Sequence, residues 1–185
     1  MNQRIRKPAL APPPVRIAPP RDENPAAFLG AHYERVWQQR MADMPFVNPA
    51  LQVAATGFVR CRGDWLGVVV TPWFINLFLL AGGGELWDDI AAGERRYVDL
   101  PCGALQFIAD DDPDLGLYQY CPLIAPVMSI ADMGVARQAA ADAMAAVLTP
   151  AVADDAADAT AEAEPSSAPE APPRRGFLRQ LAGRH

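Results

Sequence analysis

The chain has 185 residues, of which 51% are hydrophobic and 21% are charged, and its formal net charge is −6. A domain usually takes ~100–200 residues, so the composition predicts one folded domain and excludes a chain that is disordered throughout. The acidic balance disfavours a nucleic-acid-binding protein, and the lack of a run of ~18 apolar residues disfavours a membrane-spanning one. We therefore expect no nucleic-acid partner and no membrane insertion.

Proline and charge divide the chain into four parts. Residues 1–24 are basic and rich in proline, which predicts a flexible, disordered arm. Residues 25–149 contain every Trp and Tyr and are predicted to fold. Residues 150–173 carry acids but no bases and predict a disordered linker. Residues 174–185 restore positive charge and form a short C-terminal peptide.

The folded part begins with a predicted helix. Asn24 is a plausible N-cap, and Pro25 suits the first helical position. Apolar residues then recur with helical spacing, so we expect a helix over residues 25–43. Met44 precedes Pro45, and a residue before proline avoids the helical region, which ends the helix there.

The middle of the chain alternates between β-rich runs and turns. The predicted strands are 51–61, 65–72, 74–80, 95–101, 104–110 and 115–123. Residues 86–91 are predicted to form a short helical turn, and the Ala-rich segment 132–148 a second long helix. Consecutive strands with short turns indicate an antiparallel sheet. We predict an α+β domain with about five or six strands, flanked by an N-terminal and a C-terminal helix.

The most distinctive segment is TPWFINLFLL, at residues 71–80. Pro72 lacks the N–H that a sheet ladder uses, so the strand must bend or lie at an edge there. The bend would present Trp73 and Phe74 in a groove, as aromatic anchors typical of binding hot spots, with Asn76 adding polar contacts. The alternative is that both aromatic side chains belong to the core.

The three cysteines, Cys61, Cys102 and Cys121, are odd in number and widely spaced, and only two histidines accompany them. A structural zinc site needs four ligands, usually as two close pairs, which this set does not offer. We expect no metal and no cofactor. A sparse, odd set of thiols favours a reducing compartment, and the N-terminus lacks the apolar region of a secretory signal. These features predict a cytoplasmic protein.

No catalytic constellation is apparent, which favours a binding protein over an enzyme. The acidic run 110–114 lacks the alternating spacing and distal Glu of an EF-hand loop, and we interpret it as a solvated turn. His32 lies far in sequence from any cysteine, and we interpret it as a packed or surface residue rather than a ligand. The run Gly82–Gly84 is not followed by Lys and Ser or Thr, so it is not a phosphate-binding loop.

The C-terminal peptide resembles the twin-arginine export motif, Ser/Thr-Arg-Arg-x-Phe-Leu-Lys. The matching residues are Arg174, Arg175, Phe177, Leu178 and Arg179. True export signals are N-terminal and precede an apolar run, so this peptide cannot act as a signal. It either imitates one or is a basic tail of no special meaning. As partners for these arginines we consider Glu85, Asp88 and Asp89.

Four segments of the folded part together suggest a family. They are RMADMPFVNPALQVAATGF, DWLGVVVTPWFINLFLL, GERRYVDLPCGALQF and LGLYQYCPLIAPV. In order and spacing they resemble the HybE/HupJ (HoxT-like) family of [NiFe]-hydrogenase assembly chaperones. The resemblance covers about residues 25–148.

The resemblance implies a cytoplasmic, non-enzymatic chaperone for maturation of an uptake [NiFe] hydrogenase. Its partner would be the precursor of the hydrogenase small subunit, together with other hydrogenase accessory proteins. Chaperones of this type hold the immature subunit, and some read its twin-arginine signal before export. The client-binding residues that the resemblance implies are Pro72, Trp73, Phe74, Asn76, Leu77, Tyr118 and Gln119. The alternative is a thiol protein that protects or delivers an iron–sulfur or nickel–iron cofactor through Cys61, Cys102 and Cys121.

Overall fold

The computed structural model describes residues 14–151, which contain two helices and six strands. The elements in chain order are α1 (Ala26–Val36), a π-helical turn (Trp37–Met41), β1 (Ala54–Cys61), β2 (Asp64–Val70), β3 (Ile75–Leu80), β4 (Arg95–Leu100), β5 (Gly103–Asp112), β6 (Gly116–Ile124) and α2 (Met133–Leu148). The strands form one sheet in the order β1-β2-β3-β6-β5-β4. Every neighbouring pair is antiparallel, so the predicted fold class is confirmed.

The two helices lie on opposite faces of this sheet. In β3, alternate side chains point to opposite sides, so Leu77 belongs to the core cluster that contains α2 and Phe78 to the cluster that contains α1. We call these sides the α2 face and the α1 face. Every residue of β2 and β3 is buried, because helices or loops cover both faces of these two strands. This explains why both strands are nearly continuous apolar runs in the sequence.

The loop between β3 and β4 is irregular, which corrects the helical turn predicted at residues 86–91. Its backbone is organised by the buried carboxylate of Asp64, the first residue of β2. Oδ1 accepts the N–H groups of Gly82 (2.7 Å) and Gly84 (3.0 Å), and Oδ2 accepts those of Leu86 (2.8 Å) and Trp87 (2.9 Å). The loop N–H groups therefore point at one side chain and do not form helical hydrogen bonds.

The glycine run in this loop follows from the same arrangement. A Cβ at Gly82 or Gly84 would collide with main-chain atoms of residues 62–64. Only glycine allows the backbone to approach the Asp64 carboxylate so closely. In this glycine run, the backbone therefore folds closely around a buried acid.

Residues 14–24, which the sequence assigns to a flexible arm, lie against the domain. The N–H of Arg21 donates to the carbonyl of Ala81 at 2.8 Å, and the N–H of Ala18 donates to the carboxylate of Asp89 at 2.9 Å. Arg60 donates to the carbonyl of Arg21 at 2.9 Å and stacks on Trp65. Proline restricts the backbone of this segment, and the N–H groups of Ala18 and Arg21 donate to acceptors in the β3–β4 loop.

Within residues 14–151, neither helix combines the length and the hydropathy needed to cross a bilayer.

Candidate functional site

The candidate site begins at the bend between β2 and β3, where the sequence reads Thr71-Pro72-Trp73-Phe74. Thr71 is buried, and its Oγ1 accepts the N–H groups of Trp73 (3.3 Å) and Phe74 (2.9 Å). The carbonyl of Pro72 accepts the N–H of Asn48 at 2.7 Å. At the bend, the N–H groups of Trp73 and Phe74 are not paired with a neighbouring strand, and the Thr71 hydroxyl accepts them instead. These hydrogen bonds fix the backbone orientation of the two aromatic residues.

Four aromatic side chains meet around this bend, and we call them the aromatic surface: Tyr33, Trp37, Trp73 and Phe74. The rings of Trp37 and Trp73 are stacked, with centroids 6.1 Å apart and planes 15° apart. The ring of Tyr33 contacts that of Phe74 edge to face, with centroids 5.4 Å apart. It is tilted against the ring of Trp73, with centroids 6.4 Å apart. Both tryptophans and Phe74 are half-buried, so part of each ring is exposed to solvent.

The aromatic packing continues inward from the surface along β3 and β6. Phe78 stacks on Tyr118 at 5.3 Å, and the hydroxyl of Tyr118 donates to Asp110 Oδ2 at 2.8 Å. Burial raises the pKa of Tyr33 and of Tyr118 well above the usual range for tyrosine. Both phenols therefore stay neutral, so neither Tyr33 in the aromatic surface nor Tyr118 beneath it carries a charge.

Asn76 lies on the α1 face, next to Phe74 and Phe78 by strand alternation. It is buried, and its Oδ1 has no hydrogen-bond partner among the described residues. An unpartnered buried amide oxygen is uncommon in folded proteins. The structure thus places Pro72, Trp73, Phe74 and Asn76 together, and Tyr118 beneath them.

Leu77 and Gln119, which the sequence also suggests as client-binding residues, lie apart from the aromatic surface. Both are fully buried and belong to the α2 face. Gln119 accepts from Arg96 Nε at 2.9 Å and donates to the carbonyl of Asp88 at 2.8 Å. These two residues support the sheet and the β3–β4 loop, so they cannot touch a client on the aromatic surface.

Two residues of the aromatic surface were not identified from the sequence, namely Tyr33 and Trp37 of the N-terminal helical segment. They stand four positions apart, which places two side chains on one side of a helix. This spacing of two aromatic residues, together with the aromatic TPWF motif later in the chain, is the sequence signal that could have identified them. Thr71, which accepts the N–H groups at the bend, was also not identified, although it stands directly before Pro72.

The three cysteines do not form a metal-binding group. All are thiols rather than disulfides. Among the described residues, the one group of three or more ligating side chains whose atoms lie within 4.8 Å of one another contains no cysteine. Burial also raises the pKa of the Cys61 and Cys102 thiols, which lowers their reactivity as free thiolates.

The acids that we considered as partners of the C-terminal arginines already have partners. Glu85 pairs with Arg62 at 3.0 Å, and Asp88 pairs with Arg96 at 2.7 Å. Asp89 accepts from the indole of Trp87 at 2.9 Å. Their loop packs on the α2 face, away from the aromatic surface. The twin-arginine-like peptide, Arg174–Arg179, lies outside the described residues.

Comparison with known proteins identifies the family. A family model described as "[NiFe]-hydrogenase assembly, chaperone, HybE" matches residues 24–180. The chain belongs to the HybE family. The resemblance seen in the four sequence segments is therefore confirmed, and the chain is a member of a family of hydrogenase assembly chaperones.

Similar proteins agree with this family. The hydrogenase expression/formation protein HupJ of Bradyrhizobium diazoefficiens is 33% identical over 129 residues, which are 70% of this chain and 75% of that protein. The probable rubredoxin HupJ of Rhodobacter capsulatus is 34% identical over 110 residues, which are 60% of this chain but only 40% of that protein. The solution structure of HybE from Escherichia coli matches with a TM-score of 0.58 at 24% identity, covering 84% of this chain and 96% of that one. The HybE likeness supports the fold described above.

Proposed function

We propose that this HybE-family chain is a cytoplasmic accessory chaperone that binds the immature small subunit of an uptake [NiFe] hydrogenase before export. The observation that carries the proposal is the stacked, half-exposed pair of Trp37 and Trp73 at a bend held by Thr71. Large aromatic side chains dominate the energy of protein–protein contacts, and rigid ones lose little entropy on binding. In a family of assembly chaperones, such a surface is suited to an apolar segment of a client.

The chemistry of a signal peptide also suits this surface. A twin-arginine signal peptide combines an apolar region with free backbone groups, because it is not part of a folded domain. Its apolar region is matched to the half-exposed rings of the aromatic surface. The surface therefore favours the signal peptide, or another unfolded segment of the precursor, over a folded surface.

Calorimetry with the small-subunit precursor tests the proposal, using the precursor with and without its signal peptide. We expect binding to the full precursor and a loss of binding when the signal is removed. Binding that survives the removal would place the contact on the immature subunit itself. An absence of binding to both forms would contradict the proposal.

The C-terminal peptide leads to a regulatory prediction for the same surface. The last described residue, Ala151, donates its N–H to the carbonyl of Pro101 at 3.0 Å, which fixes where the tail leaves the domain. A random coil of ~22 residues has an r.m.s. end-to-end distance of ~26 Å, and a linker of that kind gives an attached peptide an effective concentration up to the millimolar range. The peptide Arg174–Arg179 would then compete with a client signal for the aromatic surface.

Deletion of residues 174–185 is expected to tighten binding of a synthetic signal peptide several-fold, because the competing segment is removed. A second variant replaces both Arg174 and Arg175 by Ala in the full chain, which keeps the length of the tail and should also tighten binding. Titration calorimetry measures both variants against the unaltered chain. If the deletion leaves the affinity unchanged, the peptide does not occupy the surface.

A further inference from the structure

His32 of α1 is a buried imidazole without a hydrogen bond. Its side chain is 4% exposed, and its Nδ1 has no partner among the described residues. Its Nε2 points toward Asp112 Oδ2 at 3.8 Å, which is too long for a hydrogen bond. Buried polar groups nearly always have a partner. The nitrogen that faces the carboxylate is Nε2, and an ion between Nε2 and Asp112 would provide a partner for both.

The turn between β5 and β6 supplies carboxylates to the same point. Asp112 Oδ1 accepts the N–H groups of Asp114 (2.8 Å) and Leu115 (2.9 Å), which fixes the orientation of this carboxylate. The other oxygen, Oδ2, faces His32. One ligand atom each from His32, Asp112 and Asp114 lies within 4.8 Å of the other two.

We propose that His32, Asp112 and Asp114 bind a divalent cation of the Zn²⁺ or Mn²⁺ class. Bonds from imidazole or carboxylate to Zn²⁺ are ~2.0–2.2 Å long, so two ligand atoms on one ion lie ~3–4 Å apart. The 3.8 Å separation of Nε2 and Oδ2 falls in this range. One nitrogen and two carboxylates leave further positions for water, which suits a labile ion.

The charge around the three ligands favours a cation. The N–H groups of Asp114 and Leu115 hold the Asp112 carboxylate, and Arg40 is close enough to interact with its charge. Metal binding uses ionised carboxylates and an unprotonated imidazole, so the ligand set would then carry two negative charges. The positive charge of Arg40 offsets part of this, which predicts moderate rather than tight binding.

This inference goes beyond the proposed function, and it opposes two expectations from the sequence, namely that His32 is not a ligand and that the chain binds no metal. The acidic run 110–114 still lacks the spacing of an EF-hand, as the sequence indicates. The histidine ligand comes from α1, far away in the chain, so no local motif shows the group. The ring of His32 meets that of Tyr33 edge to face at 4.9 Å. A bound ion would therefore fix α1 to the β5–β6 turn directly beside the aromatic surface.

Calorimetric titration of Zn²⁺ into the metal-free full chain tests the site. We expect one equivalent to bind to the unaltered chain, and at least about 10-fold weaker binding to His32→Gln and Asp112→Asn. Asp111→Asn is the matched control, because it removes the same charge one residue away without removing a ligand. The cysteines and His185 remain in every variant, so ions bound there contribute equally throughout.

Asp114→Asn keeps the test decisive if the buried variants fold poorly, because Asp114 is exposed. Its affinity for Zn²⁺ should also fall, while its free energy of unfolding without metal stays unchanged. In NMR of the ¹⁵N-labelled chain, Zn²⁺ should shift the Nε2 resonance of His32 and leave the proton on Nδ1. Equal Zn²⁺ affinity in all variants would overturn the proposal. So would a His32 imidazolium that pairs with Asp112 and does not respond to Zn²⁺.

Discussion

Replacing Asp64 by Asn is expected to lower the free energy of unfolding by about 3 kcal/mol. The carboxylate is fully buried and accepts the N–H groups of Gly82, Gly84, Leu86 and Trp87. An amide has one oxygen, so two of these donors would face an NH₂ group. Each buried donor without an acceptor costs about 1–3 kcal/mol. Urea unfolding followed by circular dichroism measures the loss.

Asp43→Asn is the matched control for this variant, because it makes the same change at an exposed position. It should alter the free energy of unfolding by less than about 0.5 kcal/mol. In Asp64→Asn, the rate of amide hydrogen exchange should rise relative to the unaltered chain, and the rise should be larger at the four loop amides than at the amides of the strands. An Asp64→Asn chain as stable as the control would show that the loop does not depend on this carboxylate.

The stability difference between the unaltered chain and the Asp64→Asn variant should depend on pH in a defined direction. Burial alone would raise the pKa of Asp64, but its backbone N–H partners hold the pKa below the usual value. The contribution of such a group is complete above its unfolded pKa of about 3.9 and is lost as the pH falls through the lower folded pKa. We therefore expect a constant difference between about pH 5 and 8 and a narrowing difference below about pH 4.

Much of the fold follows from local patterns in the sequence. The buried runs in β2 and β3 and the turns between strands predict an antiparallel sheet, because apolar β-rich segments joined by short turns pair with their neighbours. Pro25 and Met44-Pro45 bound the first helix in the same local way. The structure confirms these elements within a few residues, since each depends on contacts near in the chain.

The β3–β4 loop shows where local patterns fail. Residues 86–91 have no strong breaker of a helix after the glycines, so a helical turn is a reasonable prediction. The conformation is decided by Asp64, which is distant in sequence and offers four backbone donors an alternative to helical hydrogen bonds. A buried carboxylate of this kind cannot be distinguished from a surface turn residue in the pattern Arg62-Gly63-Asp64.

The candidate site was only partly predictable for a related reason. The TPWF bend identifies Trp73 and Phe74 because proline and aromatic residues stand together in the chain. The stacked partner Trp37 comes from another element, so its contribution appears only once α1 packs on the sheet. The burial of Leu77 and Gln119 depends on which face of the sheet α2 covers, and sequence alternation does not fix that choice.

Replacing Trp73 by Leu is expected to weaken binding of the small-subunit precursor by about 30-fold, the loss that follows from removing a hot spot worth about 2 kcal/mol. Trp73 is half-buried and stacks on Trp37, and its backbone N–H donates to Thr71, so its side chain has little conformational freedom to lose on binding. Leucine keeps an apolar side chain but loses the flat ring. Calorimetry at a temperature well below unfolding separates the loss of affinity from any loss of stability.

Trp87→Leu is the matched control for this variant, because Trp87 is also half-buried but packs on the α2 face. Its affinity for the precursor should stay within about 2-fold of the unaltered chain, since remote substitutions act independently. Trp37→Leu should weaken binding as Trp73→Leu does. The double variant should lose less than the sum of the two free-energy changes, because either substitution alone already breaks the stack. If Trp73→Leu and Trp87→Leu bind equally well, the client does not use the aromatic surface, whatever the role of the chain in hydrogenase assembly.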